Sequence, residues 1–198
     1  VVFVIELLRA GDLLFFYGRG WQSRVIECAT WGPSHVGMIF EYPCCTNGRK
    51  VPLLLESTTL SDLPCYVRGR KVRGVQAHCP DDRIRAYDGA VYYAPIRWGA
   101  AFRNGQSHEL TELIWEEFFT NTSPTPYDLA GALESLTVMP WLKYPDPGSQ
   151  FCSALVSELL MDFSKLNREP SKGITPAGLM RRVRRQGTHG KPQLVSKV

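Results

Sequence analysis

The stretch HVGMIFE, residues 35–41, constrains the fold most. It alternates strictly, so Val36, Met38 and Phe40 share one face of an extended strand and His35, Gly37, Ile39 and Glu41 share the other. It is followed by Asn47–Gly48, a strong hairpin signal, and then by the apolar run VPLLLES at 51–57. Two such runs joined by such a turn predict an antiparallel pair. The run DLLFFY at 12–17, after the Ala10–Gly11 break, and GAVYYAPI at 89–96 read as further strands. Between the first two strands, residues 21–30 fit a short helix with Val25 and Ile26 inward, ended by Gly32–Pro33.

Helical spacing takes over later in the chain. Leu110, Leu113, Ile114 and Phe118 predict a helix over 108–119, and Asp128 is placed to cap a short helix over 129–136. The clearest amphipathic segment is QFCSALVSELLMDF, 150–163, with Leu155, Val156, Leu159, Leu160 and Phe163 on one stripe. Ser149 is its candidate cap, which sets Cys152 in the first turn. Thr175–Pro176 predicts a cap followed by proline at the first position of a last helix, ending at Gly187. Residues 61–88, rich in turn formers and carrying Arg68, Arg70, Lys71 and Arg73, give no clear element, and 140–148 is a Pro-rich loop. Strands early and helices late predict an α+β fold with a mainly antiparallel sheet packed against helices, not a wound parallel sheet.

At 198 residues the chain is expected to form a single domain, residues 1–198, with 181–198 as a basic C-terminal extension. A net charge of +4 is too small to argue for nucleic acid as a partner. Much of the excess lies in Arg181, Arg182, Arg184 and Arg185, which could touch phosphates or an anionic surface weakly, although a solvated helix end is the commoner meaning of such a run. The six cysteines include no CxxC pair, and the adjacent Cys44 and Cys45 suit a disulfide framework poorly. The expectation is a reducing, cytoplasmic compartment and no metal or other cofactor. VVFVIELL is too short for a spanning helix and lacks a basic start, so neither a complete signal peptide nor a membrane segment is expected; a chain starting at Val1 also fits a fragment.

Three residues carry candidate chemistry. A free thiol has a pKa near ~8.5, and the first turn of a helix, with its unpaired N–H groups, together with a nearby imidazolium, is the setting that lowers it. Cys152 has that placement, although a buried cysteine is often only a small apolar residue. His35, at the start of a strand after a Gly-Pro-Ser loop, can serve a thiol as base. Glu56 ends the run LLLE, and if 35–41 and 51–57 pair it can approach His35 and hold the ring in one tautomer; alone, it would more often face water. His78, His108 and His189 sit in less ordered-looking contexts, with His189 expected in solvent, and Ser23 and Ser34 gain no role.

The segments LRAGDLLFF, SHVGMIF, LLEST, TPYDL, QFCSALVSELL and TPAGL, spread over residues 9–180, resemble the permuted papain-like cysteine amidases, the YiiX/YaeF-like branch of the NlpC-type superfamily. In that branch the order is His, acidic residue, then Cys, as in His35, Glu56, Cys152. The resemblance implies a circularly permuted papain-like fold with Cys152 as nucleophile, His35 as general base and Glu56 as orienting acid. It also makes Tyr127 and Ser153 the candidates for contact with a bound carbonyl or oxyanion. Gly11–Asp12 matches the family's GDL start and reads as a turn with a capping or strand-pairing acid. Ala154 departs from the pattern, where the branch often has an acidic residue.

The function implied is a cysteine hydrolase that cleaves a peptide, isopeptide or acyl-amide bond through a thioester. One alternative is a lipid acyl-ester hydrolase or acyltransferase using the same thiol, with an acyl lipid as substrate. The lecithin-retinol acyltransferase signature Asn-Cys-Glu-His is absent, its place taken by Phe151–Cys152–Ser153–Ala154. The other is a non-catalytic papain-like binding module.

Overall fold

The computed structural model describes residues 7–43, 50–59, 62–97, 106–120, 125–126, 152–163, 165–167 and 174–195. In chain order its elements are β1 (Leu13–Gly18), α1 (Trp21–Thr30), β2 (His35–Pro43), β3 (Lys50–Thr58), β4 (Gly74–His78), α2 (Pro80–Ala86), β5 (Gly89–Ala94), α3 (Gln106–Ile114, continued by a π-helical turn Trp115–Phe119), α4 (Cys152–Asp162), α5 (Pro176–Arg185) and β6 (Gln193–Val195). The six described strands form one sheet in the order β4-β3-β2-β1-β5-β6, and every neighbouring pair is antiparallel. This is the α+β arrangement that the order of strand and helix signals predicts.

The alternation of β2 decides which residues the sheet hides. Val36, Met38 and Phe40, with Leu13 and Phe15 of β1 and Leu53 and Leu55 of β3, form the main core with α3, α4 and α5. Leu110 and Ile114, Leu155, Val156 and Leu159, and Leu179 and Val183 supply the helical side. Each fully buried leucine there is worth roughly 1.5–3 kcal/mol of transfer free energy. The opposite face carries a smaller cluster, Leu14, Phe16, Ile39, Leu54 and Val91, closed by Ile84 of α2. Gly37 lies on this second face. A Cβ there would come 2.7 Å from Leu54 Cδ1 and 2.9 Å from the Leu55 carbonyl, so the β2–β3 pairing leaves room only for glycine.

Several expectations change. The Asn47–Gly48 turn, the 129–136 helix with its Asp128 cap, Ser149 and the 140–148 loop lie outside the described residues. The 61–88 stretch contains β4 and α2, each only a few residues long and therefore without a legible period. In α1, Val25 is 55% exposed, because the inward side of that helix is set by Ser23, Ile26 and Glu27. Thr175 does cap α5, its hydroxyl accepting from the Gly178 N–H at 3.0 Å.

Residues 181–195, expected as a basic extension, are built into the fold. Gly187, at φ 70°, turns the chain out of α5, and β6 then pairs with β5. His189, expected in solvent, is 1% exposed. Its Nε2–H donates to the Gly11 carbonyl at 2.8 Å, while Nδ1 faces the Thr188 hydroxyl at 3.0 Å, so the C-terminal turn is fastened to the entry of β1. Asp12 secures the same entry, accepting from the backbone N–H groups of Arg9 and Ile96 and from the Tyr93 hydroxyl.

Burial brings the His189 pKa down to about 4, against a smaller opposing effect of the Gly11 hydrogen bond. The folded value lies below the unfolded one of about 6.5. The stability that comes from a neutral His189 is therefore complete above about pH 6.5 and is lost as pH falls through 4. Urea unfolding at pH 7 and pH 4 is expected to show a loss of about 3 kcal/mol from this group. The His189→Gln variant, which keeps a donor for Gly11 but cannot titrate, should lack that component.

Candidate functional site

The site begins with strand pairing. The β2–β3 register pairs Met38 with Leu55, and the β3–β4 register pairs Leu54 with His78 and Glu56 with Gln76. Residues two apart on a strand share a face. His35, Glu56 and His78 therefore project from three adjacent strands toward the same side, the side on which α2 lies.

Glu56 is 0% exposed, and four N–H donors meet its two oxygens. Oε1 accepts from His78 Nδ1 at 2.8 Å and from Arg83 Nε at 2.6 Å. Oε2 accepts from His35 Nε2 at 2.6 Å and from Arg83 Nη2 at 3.3 Å. That fills the four lone-pair positions of a carboxylate. Burial alone would raise the Glu56 pKa, but the Arg83 guanidinium, followed by the hydrogen bonds of His35 and His78, holds it well below the usual carboxylate range. An ionised carboxylate only accepts, so both imidazoles must present N–H groups to it. Nε2 of His35 thus carries a proton, and Nδ1 is the ring nitrogen not committed to Glu56.

Cys152, the first residue of α4, lies close enough to His35 to act on the charge of its ring. Burial pulls the His35 pKa down. The Cys152 sulfur, as a negative charge and as a hydrogen-bond partner, and after it Glu56, carry it up to about 9. Phe16, paired with His35 in the β1–β2 register, lies with its ring 5.3 Å from the imidazole. The Arg83 guanidinium is 5.1 Å from the ring centres of both Phe16 and Tyr87. These aromatic faces fix the cation that in turn fixes Glu56.

A cleft of about 340 Å³ opens beside His35, lined also by Ser23, Ser34, Thr58, Arg83 and Tyr87. His35 is 13% exposed at the side chain and reaches this space. Cys152 is 3% exposed and does not line it. Ser153 is buried, and its hydroxyl donates to the Ile174 carbonyl at 2.6 Å, so it joins α4 to the start of α5 and its proton is not offered to a bound carbonyl. Tyr127 lies outside the described residues.

His78 and Arg83 escape sequence reasoning. β4 is too short to show a period, so nothing marks His78 as inward. Arg83 had a usable signal: Pro80 at the first helical position, followed by Asp81 and Asp82, is a helix start, and such a helix sets Arg83 one turn in.

No protein-family model matches the chain, and no curated protein does. Among solved structures, the fold aligns with the crystal structure of metalloprotein YiiX from Escherichia coli O157:H7, at 19% sequence identity and a TM-score of 0.49. The alignment covers 78% of this chain and 65% of that protein, so the chain spans just under two thirds of its length. The word metalloprotein describes that protein. Among the described residues here, no group of three or more His, Cys, Asp or Glu is arranged to hold a metal ion. The donor set around Glu56 does not suit a cation either, since a guanidinium already faces both carboxylate oxygens.

Arg83→Met would leave Glu56 buried without its counter-charge. Removing one member of a buried ion pair typically costs about 3–5 kcal/mol. Urea denaturation should show a loss in that range, and a loss below about 1 kcal/mol would mean that Glu56 does not depend on Arg83.

Proposed function

We propose that the chain is a cysteine hydrolase that cleaves an amide bond, of the peptide, isopeptide or acyl-amide kind, through a thioester on Cys152. The observation that carries this reading is His35 hydrogen-bonded to a buried, fully satisfied Glu56 while the Cys152 thiol acts on the same ring. A satisfied structural histidine needs no thiol at its ring.

In the proposed reaction, Nδ1 of His35 takes the proton of the Cys152 thiol and the sulfur attacks the carbonyl carbon. Backbone N–H groups at the start of α4 hold the oxyanion of the tetrahedral intermediate. The imidazolium then gives its proton to the leaving nitrogen, the C–N bond breaks, and a thioester remains. His35 next takes a proton from water, hydroxide adds to the thioester, and the acid leaves as the thiol is restored. Glu56 keeps Nε2 protonated throughout, and Arg83 and His78 keep Glu56 ionised and in place.

The sulfur is nearly buried, so alkylation by iodoacetamide, mapped by peptide mass spectrometry, tests access and reactivity together. Cys28 is exposed and serves as internal reference. At pH 6.5, His35→Ala is expected to slow labelling of Cys152 and leave Cys28 unchanged. On a panel of aminocoumarin amides, Cys152→Ala should lower turnover by about 10³-fold or more. Full turnover in that variant would end the proposal. A stable acyl adduct formed from phospholipid but from no amide would redirect it to lipid esters.

The pH profile has a defined sign. The leaving nitrogen needs the imidazolium proton, so turnover should fall as pH rises through about 9, the value to which Cys152 and Glu56 raise His35. Glu56→Gln removes one of the two groups that raise it, and the alkaline limb is expected to move to lower pH. An unmoved limb in a folded variant would mean that Glu56 does not tune His35.

A further inference from the structure

A second concave site lies away from the thiol. Arg97, Arg181, Arg184, Arg185 and Lys191 surround a cavity of about 390 Å³, with the buried His189 in its wall. They come from three places in the chain: Arg97 follows β5, the three arginines lie on one side of α5 at i, i+3 and i+4, and Lys191 precedes β6. No Asp or Glu is among the described lining residues.

The scaffold beneath them is ordered. The Arg97 N–H donates to the Thr188 carbonyl at 2.9 Å, and the Gly190 N–H to the Pro95 carbonyl at 2.8 Å. The Arg181 Nη1 donates to the Thr30 carbonyl at 3.1 Å, tying α5 to the end of α1. His189 is held to Gly11, and its lowered pKa of about 4 leaves it uncharged at neutral pH, so it contributes a rigid wall. Arg182 takes the other side of α5, where it is buried and donates to the Asn167 carbonyl.

Favourable interaction with the negative end of the helix accounts for Arg184 and Arg185, which lie in the last turn of α5. It does not account for Arg97, Arg181 and Lys191, whose convergence adds repulsion. Five like charges around one cavity are balanced best by a multivalent anion. A phosphate group brings close to two negative charges and three acceptor oxygens, and the guanidinium fork matches it bidentately.

We propose that this cavity binds a ligand carrying two or more phosphate groups, either a free oligophosphate or phosphorylated lipid headgroups at a bilayer surface. This site is separate from the thiol chemistry and stands or falls without it. The test is calorimetric titration of the full chain with inorganic tripolyphosphate at 0.05 and 0.2 M salt, alongside sedimentation with phosphatidylcholine vesicles with and without phosphatidylinositol bisphosphate. One-to-one tripolyphosphate binding that weakens with salt is expected, and the double variant Arg97→Ala/Lys191→Ala should weaken it at least about tenfold. The distant double variant Lys50→Ala/Lys71→Ala should match the parent, and unchanged thermal unfolding should show that both variants fold. Bisphosphate-dependent vesicle binding that tripolyphosphate displaces would assign the lipid source, and tripolyphosphate binding without vesicle binding would assign the free one. Failure to bind either, or equal losses in the two double variants, would overturn the site.

Discussion

A carboxylate removed from water is tolerated only when its charge and its lone pairs are met by the protein. Glu56 is in that position, and the answer is unusually complete: Arg83 supplies a charge and two donors, while His35 and His78 supply one donor each. Each partner lies on a different element, β2, β4 or α2, so the cluster needs the sheet in register and α2 docked. In turn, the ionised carboxylate fixes the tautomer of His35, on whose ring the Cys152 thiol also acts. The geometry of the thiol site thus follows from a burial problem solved at the neighbouring residue.

The sheet separates two kinds of work. One face, with α3, α4 and α5, is filled by aliphatic and aromatic side chains and brings the start of α4 to the sheet. The other, under α2, is where the ion cluster sits, edged by Phe16 and Tyr87. His35, as the first residue of β2, is at the end of the strand and can meet both. Among the described residues no helix is long and apolar enough to cross a membrane.

How far the site was legible varies residue by residue. Cys152, His35 and Glu56 each stood at a position that chemistry makes informative: a helix start, a strand start after a turn, and a charge closing an apolar run. His78 was hidden because five residues of β4 cannot display a period. Arg83 was hidden because α2 is too short for an amphipathic pattern, although its proline and acidic first turn were visible. His189 misled, since a histidine among Thr, Gly and Lys looks solvated until the turn that carries it folds back onto Gly11. Val25 misled in the opposite sense, an apolar residue left outside because α1 turns Ser23 and Ile26 toward the cleft.

By itself the sequence determined the alternation of β2, the apolar stripe behind Cys152, the cap of α5 and hence the α+β class, because these are local consequences of side-chain period and backbone preference. Only the tertiary structure decided that Glu56 is buried and bound by four donors, that β6 forms an edge of the sheet where a basic extension was expected, and that five cations from three segments share one cavity. Those facts depend on which strands become neighbours and how a turn returns to the core. Such long-range pairing is set by the whole packed chain, and a short window of residues carries no record of it.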